Sequence, residues 1–179
     1  MLKIIHVPNP ILENKTKPVE KINEEIKKII EEMKKTLIAQ KDPPGVGLSA
    51  NQVGIPLAIF LIRPNIKNEK IEIFINPKIL KMVEDKKKTS QTNKKQPVKL
   101  EGCLSIPKIW GPVKRADEVY LEYQDENGDL KRKWFRGFKA VIIQHEIDHL
   151  DGVVFTQKSL EQNQKLYQEK NNKLIPLKI

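Results

Sequence analysis

A chain of 179 residues, 39% hydrophobic and 31% charged, can bury a core without disulfide help and reads as one domain over residues 1–179. One cysteine excludes an internal disulfide, no apolar run approaches the ~20 residues of a membrane span, and the start carries no apolar leader, so the expected location is the cytoplasm. The formal charge of +10 favours acidic partners such as RNA or ribosomes, or simply a lysine-covered surface, and 6% aromatics offer no stacking signature for RNA.

In chain order, residues 22–37 read as an amphipathic helix. Ile22, Ile26, Ile29, Ile30, Met33 and Leu37 recur at three- and four-residue steps, and Asn23 with Glu24 and Glu25 supplies a cap and acidic first turn. Asp42, Pro43, Pro44 and Gly45 stop regular structure, and residues 45–54 read as a glycine-spaced loop. Apolar runs at 57–62 and 71–75 have strand length, the second closed by Asn76 and Pro77. Residues 84–97 carry five lysines and almost nothing apolar, which predicts a flexible surface loop. Alternation over 118–123, the turn signal Asn127-Gly128 and a return over 130–135 predict a β-hairpin. Residues 137–150 read as a helix ending near Gly152, and 159–172 as a weakly amphipathic C-terminal helix before Pro176.

The sharpest chemical signal is His145-Glu146-Ile147-Asp148-His149. Two histidines four apart share one helix face and can reach a single divalent ion, with Glu146 placed to take a proton from a water activated there. The alternative is a helix end with two ordinary histidines, but Val141, Ile142 and Ile143 bury the segment, and buried rings need partners. A catalytic site of this kind needs a third ligand. Downstream, only Glu161 and Glu169 are available, both in a polar, basic tail where a solvated role fits better, and His6 is isolated near the start. That leaves Cys103, which is either a small buried hydrophobe or a thiolate ligand suited to iron(II), cobalt, nickel or zinc. Gly102 beside it permits a close backbone approach.

Three blocks together, residues 45–52 (Gly-Val-Gly-Leu-Ser-Ala-Asn-Gln), 101–105 (Glu-Gly-Cys-Leu-Ser) and 144–152, resemble the peptide deformylases, and the likeness extends from His6-Val7-Pro8 through the first helix. The resemblance implies an α+β fold: mostly antiparallel short β-sheets around a central metal-binding helix, with the N-terminal amphipathic helix outside and a C-terminal helix. It also implies an amidohydrolase that removes the formyl group from the initiator methionine of nascent peptides, releasing formate. Carried over, Cys103, His145 and His149 match the metal ligands and Glu146 the general base and acid for a metal-bound water. Gln52 and the backbone N–H of Leu104 match the oxyanion donors. Val46, Gly47, Phe138, Val141 and Ile142 are candidates for the methionine pocket, and helical phase puts the last three on the face of His145. Arg115 and Glu101 match positions that hold the cysteine loop.

Iron(II) is the cofactor the resemblance implies, one divalent ion per chain, with zinc, nickel or cobalt as substitutes. The implied partners are N-formylmethionyl nascent chains and, through the basic tail of residues 158–179, the ribosome; no membrane and a monomer are expected. Ser49 stands where many members have alanine, a small-for-small departure. The competing readings are a general zinc peptidase with the same helix motif, which needs a downstream ligand, and a non-enzymatic ribosome- or RNA-binding homologue.

Overall fold

The Asn23 side chain accepts the Ile26 N–H at 3.0 Å and starts α1 (Glu24–Ala39), with Glu24 and Glu25 in its first turn. The predicted stripe points inward: Ile26, Ile30, Met33 and Leu37 are buried, against Leu48, Ile59, Leu61 and Ile75. The computed structural model describes residues 1–67, 70–84 and 99–178. The lysine-rich stretch expected to form a loop, Glu84 apart, lies outside them.

Two antiparallel sheets carry the rest. The first runs β1 (Gly47–Ser49), β2 (Ile59–Ile62), β3 (Glu72–Val83), β6 (Glu118–Gln124) and β7 (Leu130–Arg136), in that spatial order. The second runs β4 (Leu100–Cys103), β5 (Ile106–Pro112), β8 (Tyr167–Lys170) and β9 (Lys173–Pro176). Two further helices, α2 (Phe138–Leu150) and α3 (Phe155–Glu161), complete the fold. All four residues of β2 are buried because it is covered on both faces. Its alternation sends Ile59 and Leu61 towards α1, and Phe60 and Ile62 towards Ala140, Ile142 and Ile143 of α2. Thus α2 has a sheet at its back. On its other side, Phe155 of α3 joins Cys103, Ile106 and Leu166 in a separate small core.

The β6–β7 hairpin forms as predicted, with Asp125 Oδ1 accepting the N–H groups of Asn127 and Asp129 and Gly128 at φ 88°. Three expectations are revised. The glycine-spaced loop contains β1 and a 3-10 turn (Ala50–Val53). The strand over 71–75 continues to Val83, because the register shift between Ile75 and Lys78 absorbs Asn76 and Pro77. Asn76 sits at φ 50° and its side chain accepts the Val19 N–H at 2.7 Å and donates to the Val19 carbonyl at 2.8 Å.

The third revision is at the C-terminus. The helix expected over 159–172 stops at Glu161, and the chain turns back as the β8–β9 hairpin. Asn163, Asn171 and Asn172 all adopt positive φ, at 55°, 50° and 57°. Asparagine tolerates that left-handed region, and two consecutive residues there make the tight turn that matches strand twist. Leu166 is buried as well, which fastens the base of the hairpin to Cys103, Ile106 and Phe155.

Candidate metal centre

The helix α2 presents His145, Glu146 and His149, and β4 ends on Cys103. Their placement follows from packing on opposite sides of one cleft: Ile142, Ile143 and Leu150 seat α2 on the first sheet, while Cys103 joins the small core under the second. The sulfur and one nitrogen of each imidazole lie within 4.8 Å of one another, with Cys103 Sγ 3.0 Å from His149 Nε2. The close approach that Gly102 permits is to Trp110: a Cβ there would lie 2.8 Å from the indole ring.

These donors fit a divalent ion. His145 Nδ1 is 2.8 Å from Glu101 Oε2, which fixes the ring and leaves Nε2 for the ligand position. Burial favours the neutral thiol of Cys103, but the imidazoles facing it outweigh that and hold it well below its ordinary value, as a thiolate ligand requires. Glu146 Oε2 and His149 Nδ1 are buried with no hydrogen-bond partner among the described residues. An orphaned carboxylate oxygen beside a thiolate and two imidazoles marks space for chemistry. Burial pushes Glu146 up to about 7, against the pull of both imidazoles. Gly47 passes so near this carboxylate that a Cβ would collide with Glu146 Oε1.

Glu101 is held from its far side by Arg115, whose Nε and Nη2 bond its two oxygens at 2.8 and 2.9 Å. Burial opposes its ionisation, yet the Arg115 fork and the His145 bond hold the carboxyl at about 2. The same guanidinium reaches Asp148, whose other oxygen meets Lys158 Nζ at 2.7 Å. A line of charges therefore joins α3 to the metal helix and on to a ligand ring. Lys158, expected in a solvated basic tail, points its amine inward.

Gln52 lies across from the sulfur. Its Nε2 is 3.3 Å from Cys103 Sγ and donates to Ser105 Oγ at 3.1 Å. Leu104 follows Cys103 at the end of β4. Val46, Gly47, Phe138, Val141 and Ile142 line, with Gln52, Leu104, His145 and Glu146, a cleft of about 550 Å³. Ile142 is buried and Phe138 is 56% exposed, so Phe138 stands at the mouth. The remaining candidates lie away. Glu161 is exposed, Glu169 accepts from the Trp110 indole at 2.9 Å, and His6 is exposed. The downstream ligand that a general zinc peptidase would need is thus not at the centre. Asp148, Lys158, Ser49 and Asn51, missed as contributors, show no signal of their own in the sequence, since each is defined by a partner far along the chain or by burial.

The family profile described as polypeptide deformylase matches residues 1–165. The chain belongs to the peptide deformylase family. Among its relatives, the peptide deformylase of Wolinella succinogenes is 37% identical over 163 residues, covering 88% of each chain. That of Finegoldia magna is 38% identical over 172 residues, covering 96% of this chain and 98% of its own. The crystal structure of the Thermotoga maritima peptide deformylase superposes with a TM-score of 0.74 at 34% identity, covering 88% of this chain and 97% of that one. The Synechococcus elongatus peptide deformylase, crystallised with actinonin, gives 0.76 at 31% identity, covering 90% and 87%. Among the described residues, no helix is long and apolar enough to cross a membrane.

Proposed function

We propose that the chain hydrolyses the formyl amide on the initiator methionine of newly made polypeptides, releasing formate and a free amino terminus. The observation that carries this reading is the Cys103–His145–His149 cluster with the unpaired, buried Glu146 carboxylate beside it, at the base of a largely apolar cleft. In it, Cys103, His145 and His149 would hold a divalent ion, which when bound would supply Lewis acidity to the formyl carbonyl and make nearby water easier to deprotonate.

The protein's own groups do the rest. Glu146, raised to about 7 by burial, has the proton affinity of a base that works near neutrality. It takes a proton from water as the oxygen attacks the formyl carbon. It returns that proton to the methionine nitrogen as the C–N bond breaks. Negative charge growing on the formyl oxygen is met by the Gln52 Nε2–H and the Leu104 backbone N–H. The methionine side chain lies against Val46, Val141, Ile142 and, at the mouth, Phe138, while Gly47 lets the substrate backbone approach. Among the described residues β4 is at the edge of its sheet and its residues line the cleft, so its outer side suits pairing with an extended peptide.

Iron(II) is the metal we propose, with zinc, nickel or cobalt able to replace it in the same donor set. The protein acts as a monomer in the cytoplasm. Ribosome contact, if made by the tail, runs through lysines of the β8–β9 hairpin rather than a helix; Lys170→Glu with Lys173→Glu would then weaken co-sedimentation with ribosomes. Formate release from formyl-Met peptides, measured beside cleavage of internal peptide bonds, tests the reading. Formate without internal cleavage is expected, and internal cleavage without formate would return the general peptidase.

A further inference from the structure

Gln52 can serve as an oxyanion donor only if its amide nitrogen, and not its carbonyl oxygen, faces the sulfur. The carbonyl end is held by one residue. Gln52 Oε1 accepts the Ser49 N–H at 2.9 Å and lies 3.1 Å from the Ser49 hydroxyl, with Ser49 fully buried and Gln52 2% exposed. A half-turn of the amide would set its NH2 against the Ser49 N–H and its oxygen against the Cys103 thiolate, two repulsive contacts between buried groups.

The hydroxyl also makes a second link. The single proton of Ser49 Oγ is shared between Gln52 Oε1 at 3.1 Å and Asn51 Oδ1 at 2.8 Å, and Asn51 Nδ2 donates to the His149 carbonyl. Ser49 thus joins the 3-10 turn that carries Gln52 to the last turn of α2, which carries the ligand His149. Ser105 Oγ engages the other end of the Gln52 amide at 3.1 Å. With both ends held, the amide keeps its nitrogen directed at the centre.

We propose that the Ser49 hydroxyl is a positioning residue for the formyl-oxygen donor Gln52, acting on its orientation and not on the metal. The proposal rests on the role given to Gln52 above. Alanine at this position retains the backbone N–H bond but removes the hydroxyl from both Gln52 Oε1 and Asn51 Oδ1. One hydrogen bond of this class corresponds to a loss of about 3- to 10-fold in turnover.

The test is a double-mutant cycle on metal-loaded protein with a formyl-Met peptide. Ser49→Ala is expected to lower kcat about 3- to 10-fold with KM and metal content unchanged, and to cause no further loss in a Gln52→Ala background. Wild-type kcat in Ser49→Ala would overturn the proposal. So would an equal loss in the Gln52→Ala background, since that places the effect in Asn51 and the fold. Full activity in Gln52→Ala alone would instead remove the role of Gln52, a result distinguishable from either.

Discussion

The two long helices use charge in opposite ways. On α1, charged residues sit outside the apolar stripe, and pairs such as Lys35 with Glu32 and Lys27 with Glu24 lie three residues apart in solvent. On α2, the polar residues Gln144, Glu146, Asp148 and His149 are buried; Ala116, Arg115 and Cys103 come from distant parts of the chain to meet the first, third and fourth, while Glu146 keeps an unpaired oxygen. Exposed pairs of the first kind contribute little, because water already solvates both ions. Buried groups of the second kind cost several kcal/mol when a partner is lost. An ordinary scaffold helix can therefore be rewritten on its surface, whereas the metal helix fixes its neighbours.

Substitutions should separate the two helices by size of effect. Glu146→Ala, at the centre of α2, is expected to reduce kcat by ~10²–10⁴-fold with metal retained; near-normal turnover would remove Glu146 from the reaction. Arg115→Ala should come next, because it leaves Glu101 buried without its cation and Asp148 with Lys158 alone. A loss of about 3–5 kcal/mol in stability is expected, together with metal binding weakened ~10- to 100-fold through the freed His145 ring. Denaturant unfolding and metal titration would read the two effects separately, and an unchanged midpoint would sink the buried-network account.

Acid should act on the same network. Glu101 is held at about 2 against an ordinary 4.5, so its contribution is complete above 4.5 and is lost as pH falls through 2. Metal-stripped protein should lose stability across that window, and Glu101→Gln should flatten the curve there; a parallel curve would contradict the assignment. On α1 the effects shrink. Asn23→Ala removes the cap and should cost ~1 kcal/mol by thermal unfolding, with kcat unchanged. Lys35→Ala, at an exposed lysine paired with a half-buried Glu32, should leave both the unfolding midpoint and turnover where they were.

This contrast also explains what could be read before folding. The stripe of α1 is visible because burial on one side of a helix leaves a period of 3.6 in the sequence. The His145–His149 pair is visible for the same reason, since one helical turn brings the rings together. Cys103 could be reached only by elimination and by resemblance, because its contact with His149 spans 46 residues. In the sequence Lys158 belongs to a polar, basic tail, and nothing local signals that Asp148 is its partner. The β8–β9 hairpin is hidden in the sequence because residues 165–170 are as polar as a surface helix; its one local signal is Asn171-Asn172, a pair suited to left-handed backbone. In the sequence Ser49 is a small residue in place of another, and only the fold sets its hydroxyl against Gln52 Oε1 and Asn51 Oδ1.

Metal stoichiometry tests the centre most directly. Elemental analysis of protein purified without oxygen should find close to one divalent ion per chain in the wild type and in Glu146→Ala, and almost none in Cys103→Ala. Full metal occupancy in a folded Cys103→Ala would show that the sulfur is not a ligand and would contradict the account.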